Sequence, residues 1–163
     1  MKKILVAGVV GILSAYSSAE IVKNSKGEKI ELKSNGTWVL IPRTAADFVN
    51  DGESYVVQIE DGNKKLTDVT VLTDITLMGV GRQLTKEEML HNIKMTSLTA
   101  QFKLKNRFSY KPREVRITQK GKDVSIRISH TGENSYGADV AGYYESTYYI
   151  EDSGKLKLTS KMY

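Results

Sequence analysis

The chain of 163 residues has no cysteine and only two histidines, His91 and His130. Without cysteine it has no disulfide framework, no thiol nucleophile, no cysteine-based zinc site and no lipobox for lipid attachment. The two histidines lie far apart, and neither belongs to a motif with metal-ligand spacing such as HExxH. The sequence therefore predicts no metal site, no cofactor and no catalytic residue.

Long apolar runs are also scarce, and the one that stands out lies at residues 4–13, directly after Lys2 and Lys3. A run of about ten residues is too short to span a bilayer, but it is typical of the apolar region of a signal peptide. Ser17 and Ala19 are the small residues expected at a cleavage site. We therefore expect residues 1–19 to be a signal peptide and the protein to be exported, either to the periplasm or out of the cell.

The remaining sequence divides into three parts. Residues 20–41 alternate apolar and polar positions around two turns with glycine, at 25–27 and 34–36, which predicts a small three-stranded β-meander. Pro42 and the polar residues after it predict a linker over residues 42–53. Residues 54–163 are expected to form the main domain.

Threonine and branched aliphatic residues in the main domain predict strands at 55–59 and 66–77. Thr85 and Glu88 have the spacing of a capping box, and Met89, Leu90, Ile93 and Leu98 follow at helical spacing, so a helix is expected over residues 86–105. The alternation at positions 98, 100, 102 and 104 instead favours a strand, and this alternative stays open.

Four strands are expected after Pro112. Val115 and Ile117 should point inward in the first, and positions 124, 126 and 128 in the second, with turns at 119–123 and 131–134. A tyrosine-rich strand over 139–150 and a short strand over 156–158 complete the pattern. The fold class predicted is α+β, mainly antiparallel β with one helix, preceded by the small β-meander.

Two motifs resemble those of small exported bacterial proteins that are uncharacterised. The first is the G-x-x-I-x-L hairpin that begins at Gly27 and ends in Gly-Thr-Trp at 36–38, and the second is Asn-Ser-Tyr-Gly at 134–137. The second motif is similar to a module in which a helix precedes a β-meander, although Arg107 stands where that module commonly has proline. The resemblance implies this fold and carries no activity.

Basic residues are concentrated between positions 103 and 127, where nine of them stand against two acids. Aromatic residues are interleaved with them, a pattern typical of a surface for anionic ligands. Alternation around the inward-pointing residues predicts that Arg116 and Arg127 face outward on one sheet face. The candidate binding residues are Lys105, Arg107, Tyr110, Arg113, Arg116 and Arg127.

Three functions are compatible with these sequence patterns. The leading one is a non-enzymatic interaction module of the bacterial cell envelope that recognises an anionic envelope polymer, a lipid headgroup or a partner protein; export argues against nucleic acid. The second is a small hydrolase of wall or sugar substrates that uses paired carboxylates or His130. The third is a structural envelope subunit with an exposed apolar patch or strand edge that forms an oligomer.

The tyrosines at 136, 143, 144, 148 and 149 also suggest stacking on sugars. Neighbouring tyrosines in a strand point to opposite faces, so one member of each adjacent pair is expected on a given face.

Overall fold

A computed structural model describes residues 20–24, 28–79 and 81–162, with the side chains up to residue 159. The signal peptide expected over residues 1–19 and the first turn of the meander, at 25–27, lie outside the described residues. The chain divides into two compact units at Arg43 and Thr44.

The smaller unit contains the three-stranded antiparallel sheet that the sequence predicts. Its strands are β1 (Glu20–Lys23), β2 (Lys29–Leu32) and β3 (Trp38–Leu40), in that order across the sheet. The turn between β2 and β3 places Gly36 at φ +80°, a conformation that glycine adopts without steric cost.

The larger unit is one six-stranded sheet with one long helix among its described residues. The strands lie in chain order across the sheet: β4 (Ser54–Glu60), β5 (Leu66–Thr76), β6 (Lys111–Lys120), β7 (Asp123–Glu133), β8 (Asp139–Ile150) and β9 (Leu156–Met162). β5 and β6 are parallel, and the other neighbours are antiparallel. The α+β fold class is confirmed.

The helix α1 (Lys86–Lys103) connects the parallel strands β5 and β6. The capping box is confirmed, because the Thr85 hydroxyl accepts from the Glu88 N–H at 3.2 Å and the Glu88 carboxylate accepts from the Thr85 N–H at 3.1 Å. Burial raises the pKa of Glu88, but hydrogen bonds from Arg82 and Thr85 outweigh it and keep the pKa below its usual value. The helix therefore begins where its sequence predicts and ends at Lys103, which overturns the strand alternative.

One face of the sheet packs against α1 and holds the main hydrophobic core. Val115, Ile117, Val124, Ile126 and Ile128 are all at most 1% exposed, so the inward positions predicted for β6 and β7 are confirmed. Polar side chains join this layer in hydrogen-bonded pairs: Thr96 with Tyr148 at 3.0 Å, and Ser97 with Tyr110 at 2.8 Å. These pairs satisfy hydroxyls that the helix buries.

Three details differ from the sequence-based expectations. On α1, Leu90 and Leu98 are exposed, whereas Thr96 and Ser97 are buried. β7 extends to Glu133, so the turn between β7 and β8 lies at 134–138 rather than 131–134, and β9 is longer than 156–158.

The segment expected to be a linker, 42–53, belongs to the larger unit from Thr44 onward. Val49 is fully buried in the main core, and its N–H donates to the Leu84 carbonyl at 2.9 Å. The Asp51 carboxylate accepts from the Ile75 N–H at 2.7 Å. These contacts fasten the segment to the sheet and to the start of α1.

No helix in the part of the chain that the structure describes combines the length and the apolar character needed to cross a bilayer.

Candidate binding surface

The second face of the six-stranded sheet, opposite α1, is called the open face below. Its residues alternate with the core residues along every strand and are exposed or half-buried. Hydroxyl and charged side chains predominate at its centre, at Thr70, Glu114, Arg116, Thr118, Ser125, Arg127, Ser129, Tyr143, Glu145 and Thr147. Such a surface is suited to binding a polar ligand rather than to packing another layer.

Two arginines face each other at the centre of the open face. Arg116 on β6 and Arg127 on β7 are direct partners in the antiparallel register, so the prediction that both face outward is confirmed. Like charges placed directly opposite each other destabilise a sheet. A bound anion between the two guanidinium groups would reverse this repulsion, because each guanidinium can donate to it.

A β-bulge adds a third arginine to this surface. The register of β6 against β7 shifts between Pro112 and Glu114, which leaves Arg113 as the extra residue. Its Nη2 lies 3.5 Å from the Thr131 hydroxyl, on the open face. Bulges commonly redirect a side chain in this way. Arg113, Arg116 and Arg127 are called the arginine cluster below.

Carboxylates from the same and the next strand partly neutralise the cluster. Arg127 Nε donates to a Glu145 carboxylate oxygen at 2.8 Å, and Arg116 Nη2 lies 3.8 Å from the Glu114 carboxylate. Burial raises the pKa of Glu145, but hydrogen bonds from Ser125 and Arg127 outweigh it and hold the pKa below its usual value. Glu145 is therefore ionised at neutral pH, and the basic excess is smaller than positions 103–127 alone suggest.

The tyrosines divide between the two faces of β8 as expected. Tyr144 and Tyr148 are buried under α1, whereas Tyr143 and Tyr149 are exposed on the open face. The Arg127 guanidinium lies 4.7 Å from the centre of the Tyr143 ring, within the range of a cation–π contact. Tyr143 thus helps to orient Arg127 instead of joining a platform of several rings.

The other three candidate residues do not join the cluster. Tyr110 is 1% exposed and its hydroxyl bonds Ser97 in the core, and burial raises its pKa to about 12, so its selection as a surface residue was wrong. Lys105 and Arg107 are exposed in the segment between α1 and β6. This segment packs on the covered side, where Leu104 approaches Gly132.

His130 lies on the covered face of β7 and is 8% exposed. Its ring is packed beside that of Tyr110, with 5.3 Å between the ring centres. Burial lowers the pKa of His130, because it disfavours the charged imidazolium. A hydrolytic histidine needs access to substrate, and a side chain that is 8% exposed offers little of it.

No group of three or more metal-ligating side chains converges among the described residues. Comparison with known proteins finds no family model, no curated protein and no solved structure that matches this chain. The resemblance carried by the two sequence motifs therefore stays a prediction. Glu145 was not expected beside Arg127, and Tyr143 was expected only as a residue that could stack on sugars; the phasing of β8 against β7 is the signal that could have placed both there.

Proposed function

We propose that the protein is an exported, non-enzymatic interaction module of the bacterial cell envelope that binds an anionic group on the open face. The observation that carries this proposal is the direct opposition of Arg116 and Arg127 at the centre of that face. A pair of guanidinium groups held on neighbouring strands matches a phosphate or a carboxylate, which can accept from both.

The surroundings of the pair favour a compact anion over a diffuse polyanion. Glu114 and Glu145 lie beside the two arginines and would repel a ligand that spreads negative charge across the sheet. Ser129 lies next to Arg127 on the same strand and face, and its hydroxyl can donate to a small polar headgroup, whereas the Ser125 hydroxyl already donates to Glu145. An anionic lipid headgroup or a phosphorylated envelope polymer has the required chemistry.

Binding to defined vesicles tests this proposal. The full chain is measured against phosphatidylglycerol vesicles and against neutral phosphatidylcholine vesicles, and then for capture from envelope extracts. The double variant Arg116→Gln with Arg127→Gln should bind at least about tenfold more weakly, because each lost charge-assisted hydrogen bond contributes roughly 1.5–3 kcal/mol.

The matched control is the double variant Lys65→Gln with Lys94→Gln, which removes the same charge from exposed sites away from the open face. It should change binding less than about twofold if the cluster is specific. Equal losses in both variants would show that net charge alone drives binding and would overturn the proposal. Thermal unfolding of each variant establishes that the fold is intact.

A further inference from the structure

The two edges of the six-stranded sheet are protected very differently. β9 has a bulge where its register against β8 shifts after Thr147, and it carries the exposed Lys157. Bulges and lysines are devices that prevent edge strands from pairing with another chain. β4 has neither: it pairs with β5 over seven consecutive residues without a register shift, and it contains no lysine and no proline.

The unprotected edge also borders a partly apolar groove. A groove of about 390 Å³ separates β4 from α1, with Ile59, Leu66 and Leu98 among its lining residues. Leu98 is 44% exposed, and Leu90, two turns earlier on the same side of the helix, is also exposed. A strand added to β4 would place alternate side chains into this groove.

The helix runs in the same direction as β4. The Lys86 ammonium lies 5.3 Å from the Tyr55 ring at one end, and Leu98 and Gln101 line the groove with Glu60 at the other. A twofold axis perpendicular to the sheet would therefore bring two copies of α1 onto one face, antiparallel to each other.

We infer that the outer edge of β4 pairs with β4 of a second copy, which joins two sheets into one of twelve strands. The alternation of side chains along β4 is compatible with this pairing. Tyr55, Val57 and Ile59 point toward the helix side, and the residues between them point toward the open face. Pairing through the twofold axis keeps these apolar side chains on the helix side in both copies, where Val57 and Ile59 are already buried in the core of their own copy.

An antiparallel register centred on Val57 also keeps like charges apart. It places Tyr55 opposite Ile59 of the second copy, Val56 opposite Gln58 and Ser54 opposite Glu60. Glu60, the one charged residue of β4, then faces a serine rather than its own copy, so no like charges oppose each other. Val56, which is 70% exposed on the single chain, gains a neighbour.

Sedimentation equilibrium of the full chain tests the pairing. We expect a dimer whose dissociation constant rises at least about tenfold in Val56→Lys, because this places a lysine on the pairing edge. Leu158→Lys, a change of the same kind at an exposed site on β9, should leave the dimer unchanged. A monomeric wild-type chain, or equal weakening by both variants, would overturn the inference.

The absence of cysteine allows a direct test of the register. Val56→Cys and Gln58→Cys are purified separately and then mixed under mild oxidation. A covalent dimer should form efficiently in the mixture and poorly in either variant alone, since these two positions face each other across the axis. Equal cross-linking in the separate samples would overturn this register. The edge is separate from the arginine cluster, so Val56→Lys should still bind anionic vesicles.

Discussion

The two faces of the six-stranded sheet are built from the same strands, yet they have opposite roles. On the face that α1 covers, branched aliphatic residues are excluded from water. The buried hydroxyls there bond to each other, as Thr96 does with Tyr148, a residue far away in the sequence. On the open face, arginines and carboxylates remain partly hydrated and interact in pairs. Stability therefore depends mainly on the covered face, and binding is expected to depend on the open face.

The largest expected effect on stability distinguishes two neighbouring residues of β6, one on each face of the sheet. Ile117→Ala removes a fully buried side chain and leaves a cavity, so we expect the free energy of unfolding to fall by about 2–5 kcal/mol. Thr118→Ala, on the open face, should cost less than about 1 kcal/mol. Urea denaturation measures both, and similar losses would mean that the open face is packed against something.

A smaller effect is expected at Gln119, a polar residue buried on the covered face. Its side-chain oxygen accepts from the Leu84 N–H at 3.1 Å, and its amide donates to the Arg82 carbonyl at 2.7 Å. Gln119→Leu leaves the Leu84 N–H unpaired, which should cost roughly 1–3 kcal/mol. Thr118→Val serves as the control; if Gln119→Leu is as stable as the control, the hydrogen bonds contribute little.

The smallest effect concerns pH and His130. The pKa of His130 is lowered in the folded protein from the value of 6.5 for a free histidine, so between pH 6.5 and that lowered pKa the unfolded chain binds a proton that the folded chain does not. The free energy of unfolding should thus fall as pH decreases through about 6.5, by roughly 1.4 kcal/mol for each unit of the pKa difference, and then level off.

The control for this pH dependence is a pair of substitutions. His130→Phe should remove the decrease between pH 7 and pH 5, whereas His91→Gln, at an exposed position on α1, should retain it. Denaturation at several pH values distinguishes the two. A decrease that persists in His130→Phe would assign it to another group.

Local signals predicted much of the fold. The Thr85 and Glu88 pattern identified the start of α1, because the capping box satisfies backbone groups within one turn. Alternation on β6 and β7 placed the core residues and Arg116 and Arg127 on their correct faces. In each case the interacting groups are close in sequence or follow the strand period.

Features that depend on distant partners could not be predicted in this way. The burial of Thr96 and Ser97 depends on the hydroxyls of Tyr148 and Tyr110, and Leu98 is exposed because those residues occupy the helix side facing the sheet. Similarly, Glu145 pairs with Arg127 only because β8 lies beside β7. The bulge at Arg113 depends on the register between two strands, which composition does not encode.

The parallel pairing of β5 with β6 has a consequence for how the chain folds. All other strand pairs of this sheet join strands that are adjacent in the sequence and connected by short turns: β4 with β5 on one side, and β6 through β9 on the other. The pairing of β5 with β6 instead requires residues 77–110, including all of α1, to close into a loop. Contacts between segments so far apart in the sequence form slowly. We therefore expect the rate-limiting step of folding to be the docking of α1, which brings the β4–β5 hairpin together with the sheet of β6 to β9.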